Sequence, residues 1–348
     1  MLWLTWRQFR APTIVATAAL ALTALVLGLD GVHIVHLYHD SGIGGCQARG
    51  DCPVVAGNFL ALVDSTILNH LPLLFGTALV AVPAVIGMFW GAPLLTRELE
   101  SGTHRLAWSQ GVTRTRWLAV NLAVIGLASM AAAGLFSLMV TWSASPIDAV
   151  SRDWLLPQTF SERGIVPVGY AAFAFALGVC AGMLIRHTVA AMAVTLAVFT
   201  AVQFAMRALR RYLIPPVHLV TTITALNGVE IRLPPHSPGQ LTFAATASVP
   251  GEPGAWILAS QTVDAAGRPA GTVPLSPAGT AGTLPVRACG PGTGPGCLAA
   301  LHRLGYRQLV TYQPASRFWA FQWYETAIFV ILALALAGIC LWRIRRVS

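Results

Sequence analysis

The run Val166-Pro167-Val168-Gly169-Tyr170-Ala171-Ala172-Phe173-Ala174-Phe175-Ala176-Leu177-Gly178-Val179-Cys180-Ala181-Gly182-Met183-Leu184-Ile185 contains no charged residue. After only Arg186-His187 a second apolar run continues from Thr188 to Met206. About 20 apolar residues in a helix cross a hydrocarbon core about 30 Å thick. The stretch therefore reads as two membrane-spanning helices joined by a two-residue turn. Four further runs meet the same criterion: Pro12 to Leu29, Leu71 to Leu95, Trp117 to Trp142 and Trp319 to Trp342. The fold class predicted is an all-α polytopic membrane protein with six transmembrane helices. Of the 348 residues, 55% are hydrophobic and 10% charged, and the mean hydropathy is +0.66. Globular domains carry roughly 25% charged residues, so this chain lacks the charge to solvate a wholly aqueous surface.

All 22 basic residues are arginine. Without lysine there is no Schiff-base chemistry and no phosphate-binding P-loop lysine. A drive by ATP would therefore require another subunit to bind it. The net charge of +9 is sorted by side of the bilayer before any nucleic-acid partner is considered, and that sorting sets the topology. With the N-terminus inside, the cytoplasmic pieces are residues 1–11, 96–116, 186–187 and 343–348. They hold ten arginines in about forty residues, as the positive-inside rule requires. Both termini are then cytoplasmic. Arg207, Arg210 and Arg211 fall at the outer end of the fifth span, where snorkelling to lipid head groups is the expectation. The first span lacks a small-residue cleavage site where it ends at Asp30-Gly31-Val32-His33, so it reads as an uncleaved anchor.

The predicted organisation is a cytoplasmic N-terminal segment over 1–11, five spans with a cytoplasmic hairpin at 96–116 within 12–206, an extracytoplasmic domain over 207–318, and the last span with a basic tail over 319–348. The outer segment is dense in Pro and Gly and too long for a simple connection. Trp256 to Val263 followed by Asp264-Ala265-Ala266-Gly267 reads as a strand and a turn, and Gly305 to Tyr312 as a second strand. A small loop-rich domain is expected, with Gly267 to Gly296 poor in large apolar residues and partly disordered. Cys46, Cys52, Cys289 and Cys297 all fall outside the membrane, where oxidising conditions permit bridges. Local pairing within each loop is the most economical of three connectivities.

Chemistry-bearing residues are few. The segment from Thr96 to Trp117 carries Glu98, Glu100, Ser101, Gly102, Thr103, His104, Arg105, Arg114 and Arg116. Gly102 can take the left-handed conformation that ends a helix, and Thr103 can cap a short one reaching Gln110. That makes a short helix at the membrane surface displaying both charge signs; a solvated connecting hairpin is the alternative. His33, His36 and His39 leave the first span at spacings of three and would share a face if the helix continued, but Gly31 and the Gly-rich stretch after Ser41 argue that it ends there. Interfacial histidines, not a metal site, are expected. Glu325 is the one acid inside an apolar span. It is a candidate for a transport pathway, or an interfacial group that offsets the helix dipole below the aromatic belt of Trp319, Trp323 and Tyr324. Ala174, Gly178 and Gly182 form a small-residue ladder, suited to packing within the bundle or to a dimer seam. Pro72 and Pro83 are placed to kink the second span. No hydrolase, zinc-protease, glycosidase or dinucleotide motif is present.

Glu98-x-Glu100-x-Gly102-Thr103, followed by an Arg-rich turn into an apolar helix, resembles the first cytoplasmic loop of ABC type-2 exporter permeases. Trp3-Leu4-Thr5-Trp6-Arg7-Gln8-Phe9-Arg10 looks like their amphipathic N-terminal helix, which the resemblance places over 1–11 on the cytoplasmic side. Tyr306 to Ala315 with Phe318-Trp319 looks like the run into the last span of actinobacterial-type members. The resemblance covers essentially the whole chain. It implies a membrane subunit, not itself an enzyme, whose 96–116 hairpin couples to a separate ABC ATPase. ATP and Mg are implied on that ATPase and no cofactor on this chain. A second permease subunit and the lipid bilayer are the other partners expected, with no nucleic acid. The function expected is export of a hydrophobic or amphiphilic substrate by alternating access in the plasma membrane. A sensor or resistance subunit, or a membrane-anchored extracytoplasmic enzyme, are the alternatives.

Overall fold

A computed structural model describes residues 2–47, 53–65, 80–94, 114–222, 229–232, 240–245, 251–270, 272–276, 283–285 and 294–346, with residues 78, 96 and 249. It divides into two compact units, Met1–Arg210 with Trp319–Ser348, and Arg211–Phe318.

The first unit is helical. Its elements are α1 (Leu2–Asp40), α2 (Ile43–Gln47), α3 (Pro53–Ser65), α4 (Val80–Leu94), α5 (Arg114–Ser143), α6 (Ser145–Ser151), α7 (Pro157–Glu162), α8 (Val166–Ile185) and α9 (Thr188–Leu209), together with the last helix of the chain, Phe318–Arg346. Among the described residues five helices are long and apolar enough to cross a membrane: α1, α5, α8, α9 and the last one. The expected span Leu71 to Leu95 is represented by the shorter apolar α4, with 71–77 outside the described residues. The Arg186-His187 turn lies where the sequence places it. Arg186 takes φ +59° and its N–H closes α8 on the Gly182 carbonyl.

The core centres on α8, which is buried along most of its length. In lipid there is no hydrophobic drive between helices, so close backbone contact and hydrogen bonds must hold the bundle. The small-residue ladder supplies that contact within the chain. A Cβ on Gly178 would come within 2.9 Å of the Ala92 amide nitrogen, and one on Gly182 within 2.6 Å of the Ala92 carbonyl oxygen. Facing them, α4 is wound as a π-helix over Gly87–Gly91, with the Ala92 N–H reaching the Gly87 carbonyl. Such π-bulges are local widenings of an α-helix. Here two glycines let the widened turn lie against α8, so the irregularity of this helix falls at Gly87–Gly91; Pro72 lies outside the described residues. Large side chains turned outward, among them Leu22, Leu138, Val189 and Leu334, suit contact with lipid.

One expectation is corrected in α1. The helix does not end near Gly31 but continues to Asp40. A Cβ on Gly31 would approach the Trp142 ring to 2.7 Å, so the glycine is a point of close helix approach and not a terminator. The chain turns at Ser41-Gly42, where Gly42 has φ +67° and the Ser41 hydroxyl donates to the Tyr38 carbonyl at 2.8 Å. His33, His36 and His39 are exposed along the continuing helix.

Among the described residues the second unit is built on short strands and one helix. β1 (Val217–Thr222), β2 (Val229–Arg232), β3 (Gln240–Ala245), β4 (Trp256–Val263), β5 (Thr272–Ser276), β6 (Leu284–Pro285) and β7 (Arg307–Gln313) are joined by α10 (Gly294–Arg303); the last helix is α11 (Phe318–Arg346). The order β1-β7-β4 makes one sheet and β2-β3-β5-β6 another. The two strands expected from the sequence are β4 and β7, paired antiparallel with Trp256 opposite Gln313 and Val263 opposite Arg307. The turn after β4 is closed by the Asp264 carboxylate, which accepts from the amides of Ala266 at 2.9 Å and Arg268 at 2.8 Å. Cys297, Leu301, Val310 and Tyr312 form the core beneath β7. Of the stretch Gly267 to Gly296, expected to be partly disordered, the described residues include β5, β6 and the start of α10, while 271, 277–282 and 286–293 lie outside the described residues. Cys46 and Cys297 are each disulfide-bonded. Cys52 and Cys289, the partners favoured by loop length, lie outside the described residues, while Cys180 and Cys340 are free buried thiols.

Candidate functional site

The polar chemistry of the helical unit gathers where α11 begins. Gln322 and Glu325 stand one turn apart on α11, and both are buried. The Gln322 amide is fully used. Its Oε1 accepts from the Ile165 and Val166 amides, each at 3.0 Å, capping the start of α8. Its Nε2 donates to the carbonyls of Phe160 at 3.2 Å and Arg163 at 3.0 Å, fastening α7. Gly164 completes the joint with φ +69°, which a side chain there would strain.

Glu325 receives a two-pronged guanidinium from Arg210, Nε to Oε2 at 2.8 Å and Nη2 to Oε1 at 3.0 Å. The Tyr170 hydroxyl donates to the same carboxylate. Arg210 also donates to the Ser161 hydroxyl at 3.1 Å and the Pro157 carbonyl at 3.3 Å, and its guanidinium carbon lies 4.1 Å from the Phe160 ring centre. Phe329 packs edge-on to Tyr170 at 4.7 Å and closes the site from the apolar side. Four elements are thus held by one carboxylate and one guanidinium in a setting where neither could stay charged alone. The expectation that Arg210 would snorkel is corrected: it is 1% exposed. Its burial is tolerable because the paired acid supplies what head groups would have supplied. Arg211, by contrast, is exposed.

Beside this anchor, α4, α7 and α9 enclose a cleft of about 830 Å³. Met88, Phe199 and Phe204 give it an apolar wall, and Glu162, Gln203 and Arg207 a polar corner. Gln203 follows Phe199 and precedes Arg210 at helical spacing on the buried face of α9. Neither end of the Gln203 amide, nor Glu162 Oε1, nor Arg207 Nε has a hydrogen-bond partner. Burial lifts the Glu162 carboxyl to about 7. Asp148 adds to the rise, while Arg163 and Arg207 oppose it. Arg163 is itself paired with Asp148, Nε to Oδ2 at 3.0 Å. The sequence reading missed this corner, because Glu162 sits in a short loop helix and Gln203 is a single polar residue in an apolar run.

Of the residues singled out from sequence, Glu98, Glu100, Ser101, Gly102, Thr103, His104 and Arg105 lie outside the described residues. Arg114 opens α5 and Arg116 is exposed. Thr96, the first residue of the hairpin, is buried. Its hydroxyl donates to the Ala92 carbonyl at 3.0 Å and accepts from the Thr188 hydroxyl at 2.8 Å, tying the end of the second span to the start of α9. Among the described residues no group of three His, Cys, Asp or Glu side chains is placed to hold a metal ion.

Comparison with known proteins returns no matching curated protein and no matching solved structure. The family of ABC-2 membrane transporter related proteins matches residues 17–211, which is more than half of the chain and includes the ladder, the cleft and Arg210. With its bundle of apolar helices, this chain is a multi-pass membrane protein belonging to the ABC-2 membrane transporter related family.

Proposed function

We propose that this chain is the permease subunit of an ABC exporter, moving a hydrophobic or amphiphilic substrate by alternating access while a separate ABC ATPase hydrolyses ATP. The observation that carries this reading is the cleft on α4, the helix that leads through Thr96 towards the 96–116 hairpin. A push on that hairpin would act on α4, whose π-turn lies against α8, so a movement at the ATPase would reach the cleft walls. The chain contributes contacts that differ between two states, with no bond chemistry of its own. In this reading ATP and Mg sit on the ATPase, Glu98, Glu100 and Arg105 face it, two permease subunits assemble, both termini are cytoplasmic and residues 211–318 lie outside. Glu325 serves as the anchor beside the pathway.

The test uses Gly102→Val and Glu98→Arg in complexes reconstituted with the ATPase encoded nearest this chain. Both variants should insert normally but lose ATPase association or substrate-stimulated hydrolysis. Parent-like assembly, hydrolysis and transport by both would overturn the coupling assignment. Ser101→Cys should label only from the cytoplasm and Gly267→Cys only from outside; the reverse pattern would overturn the topology.

A further inference from the structure

The polar corner of the cleft limits what its occupant can be. Gln203 is 5% exposed and Glu162 6% exposed, so neither is satisfied by bulk water. The free atoms are a carboxylate oxygen on Glu162, a guanidinium N–H on Arg207, and both the carbonyl and the amino group of Gln203. Glu162 and Arg207 feel each other's charge, yet they make no hydrogen bond to one another. The unmet demand has both signs: an oxyanion for Arg207, a charged or strong donor for Glu162, and either for Gln203, which can donate with one end and accept with the other. With Glu162 ionised, a purely cationic head would leave Arg207 unmet, a purely anionic head would leave the Glu162 carboxylate unmet, and a neutral head would satisfy neither charge. Leaving such a group unpaired costs about 1–3 kcal/mol, more for charged groups.

The rest of the cleft is apolar. Met88 from α4 and Phe199 and Phe204 from α9 offer a surface suited to an alkyl or aromatic body. The volume, about 830 Å³, falls within the roughly 300–1,000 Å³ of small-molecule sites.

We infer that the cleft binds an amphiphile whose head is zwitterionic, with an ammonium seated on Glu162, an oxyanion on Arg207 and Gln203 bridging the two. This rests on the permease reading for its purpose but not for its test, which measures binding to the chain alone. Two sources share the chemistry, a zwitterionic lipid of the bilayer and a free zwitterionic amphiphile.

The experiment is equilibrium binding of radiolabelled dodecyl phosphoethanolamine to the full chain in nanodiscs of anionic phosphatidylglycerol, with empty nanodiscs as the blank. Dodecyl phosphate, dodecylamine and dodecyl maltoside, which share the chain and differ in the head, serve as competitors. The zwitterion should compete at least about tenfold better than each, the ratio that one charge-assisted hydrogen bond provides. Arg207→Gln should erase the preference over dodecylamine, and Glu162→Gln the preference over dodecyl phosphate. Arg346→Gln, at the far end of α11, should change neither. Repeating the measurement in phosphatidylethanolamine nanodiscs separates the sources: loss of probe binding points to the bilayer lipid, and retention to a free amphiphile. Equal competition by all four heads in the parent chain would overturn the inference without any variant needing to fold. An unchanged ranking in both well-folded variants would do the same. Either failure would leave ATPase association intact, so it would not be confused with failure of the permease reading.

Discussion

Arg210 and Glu325, 115 residues apart in sequence, meet as a bidentate ion pair, with side chains 1% and 0% exposed. The acid comes from the first turns of α11 and the base from the residue after α9. Removing one member leaves the other buried without its counter-charge, and such single losses typically cost about 3–5 kcal/mol. Glu325→Gln and Arg210→Gln should therefore each lower the melting temperature and the folded yield sharply. The double variant Arg210→Met/Glu325→Leu should recover most of the loss, because apolar replacement of a buried pair is often neutral. A double variant as unstable as the sum of the singles would mean that the two residues act independently.

Gln322 permits a sharper test of polar satisfaction. Its amide makes four hydrogen bonds to backbone. Gln322→Leu keeps the size but leaves two amides and two carbonyls short of a partner, at a cost of about 1–3 kcal/mol for each group left buried and unmet. Faster hydrogen exchange at Ile165 and Val166, with the far end of α8 unaffected, is the expected signature. Uniform protection in parent and variant would show that other groups cap the helix.

The glycine ladder predicts a contrast between positions. Gly178→Ala places a methyl against the α4 backbone, where overpacking costs typically about 1–3 kcal/mol, whereas Gly338 on α11 has nothing within 4 Å of an added Cβ. Thermal unfolding in detergent should show a loss for Gly178→Ala and none for Gly338→Ala. Equal behaviour would mean that α4 can withdraw from α8 without cost.

Length and hydropathy alone made the apolar helices legible, since the bilayer sets a minimum run that few soluble segments reach. The turn at Arg186-His187 and the ladder on α8 were legible for similar reasons: a charge breaks an apolar run, and small residues recur at helical spacing. The α1 continuation was not, because Gly31 carries the same letter whether it ends a helix or admits the Trp142 ring. The partner of Glu325 was hidden by distance in sequence. A signal did exist in α9, where Thr195, Phe199, Gln203, Met206 and Arg210 recur at spacings of three and four and all are buried. A charged residue on that stripe faces the interior and not the head groups, so Arg210 could have been separated from the exposed Arg211 by phase. The second unit was least legible because most of its strands are only two to six residues long, so alternation such as Val-Glu-Ile-Arg in β2 spans too few residues to stand out, and only the longer β4 and β7 did.

Glu162 yields a pH-dependent prediction with a definite sign. Burial raises its carboxyl from an ordinary value near 4.5 to about 7, with Asp148 reinforcing the rise and Arg163 and Arg207 opposing it. An acid whose folded value lies above its unfolded value takes up a proton on folding between the two. In that window the unfolded chain binds fewer protons, so this group's contribution favours the folded state at low pH and is lost as pH rises. The parent should therefore lose stability relative to Glu162→Gln as pH is raised from about 5 to about 8, with the difference levelling above the folded value. Taking the difference between the two proteins cancels carboxylates titrating elsewhere, including Asp264 on the second unit, which hydrogen bonds hold below its ordinary value. Melting temperatures of both proteins across that range are the measurement. A difference that stays constant, or that grows as pH falls, would show that Glu162 is charged throughout and that its free oxygen is met by a cation, not by a proton.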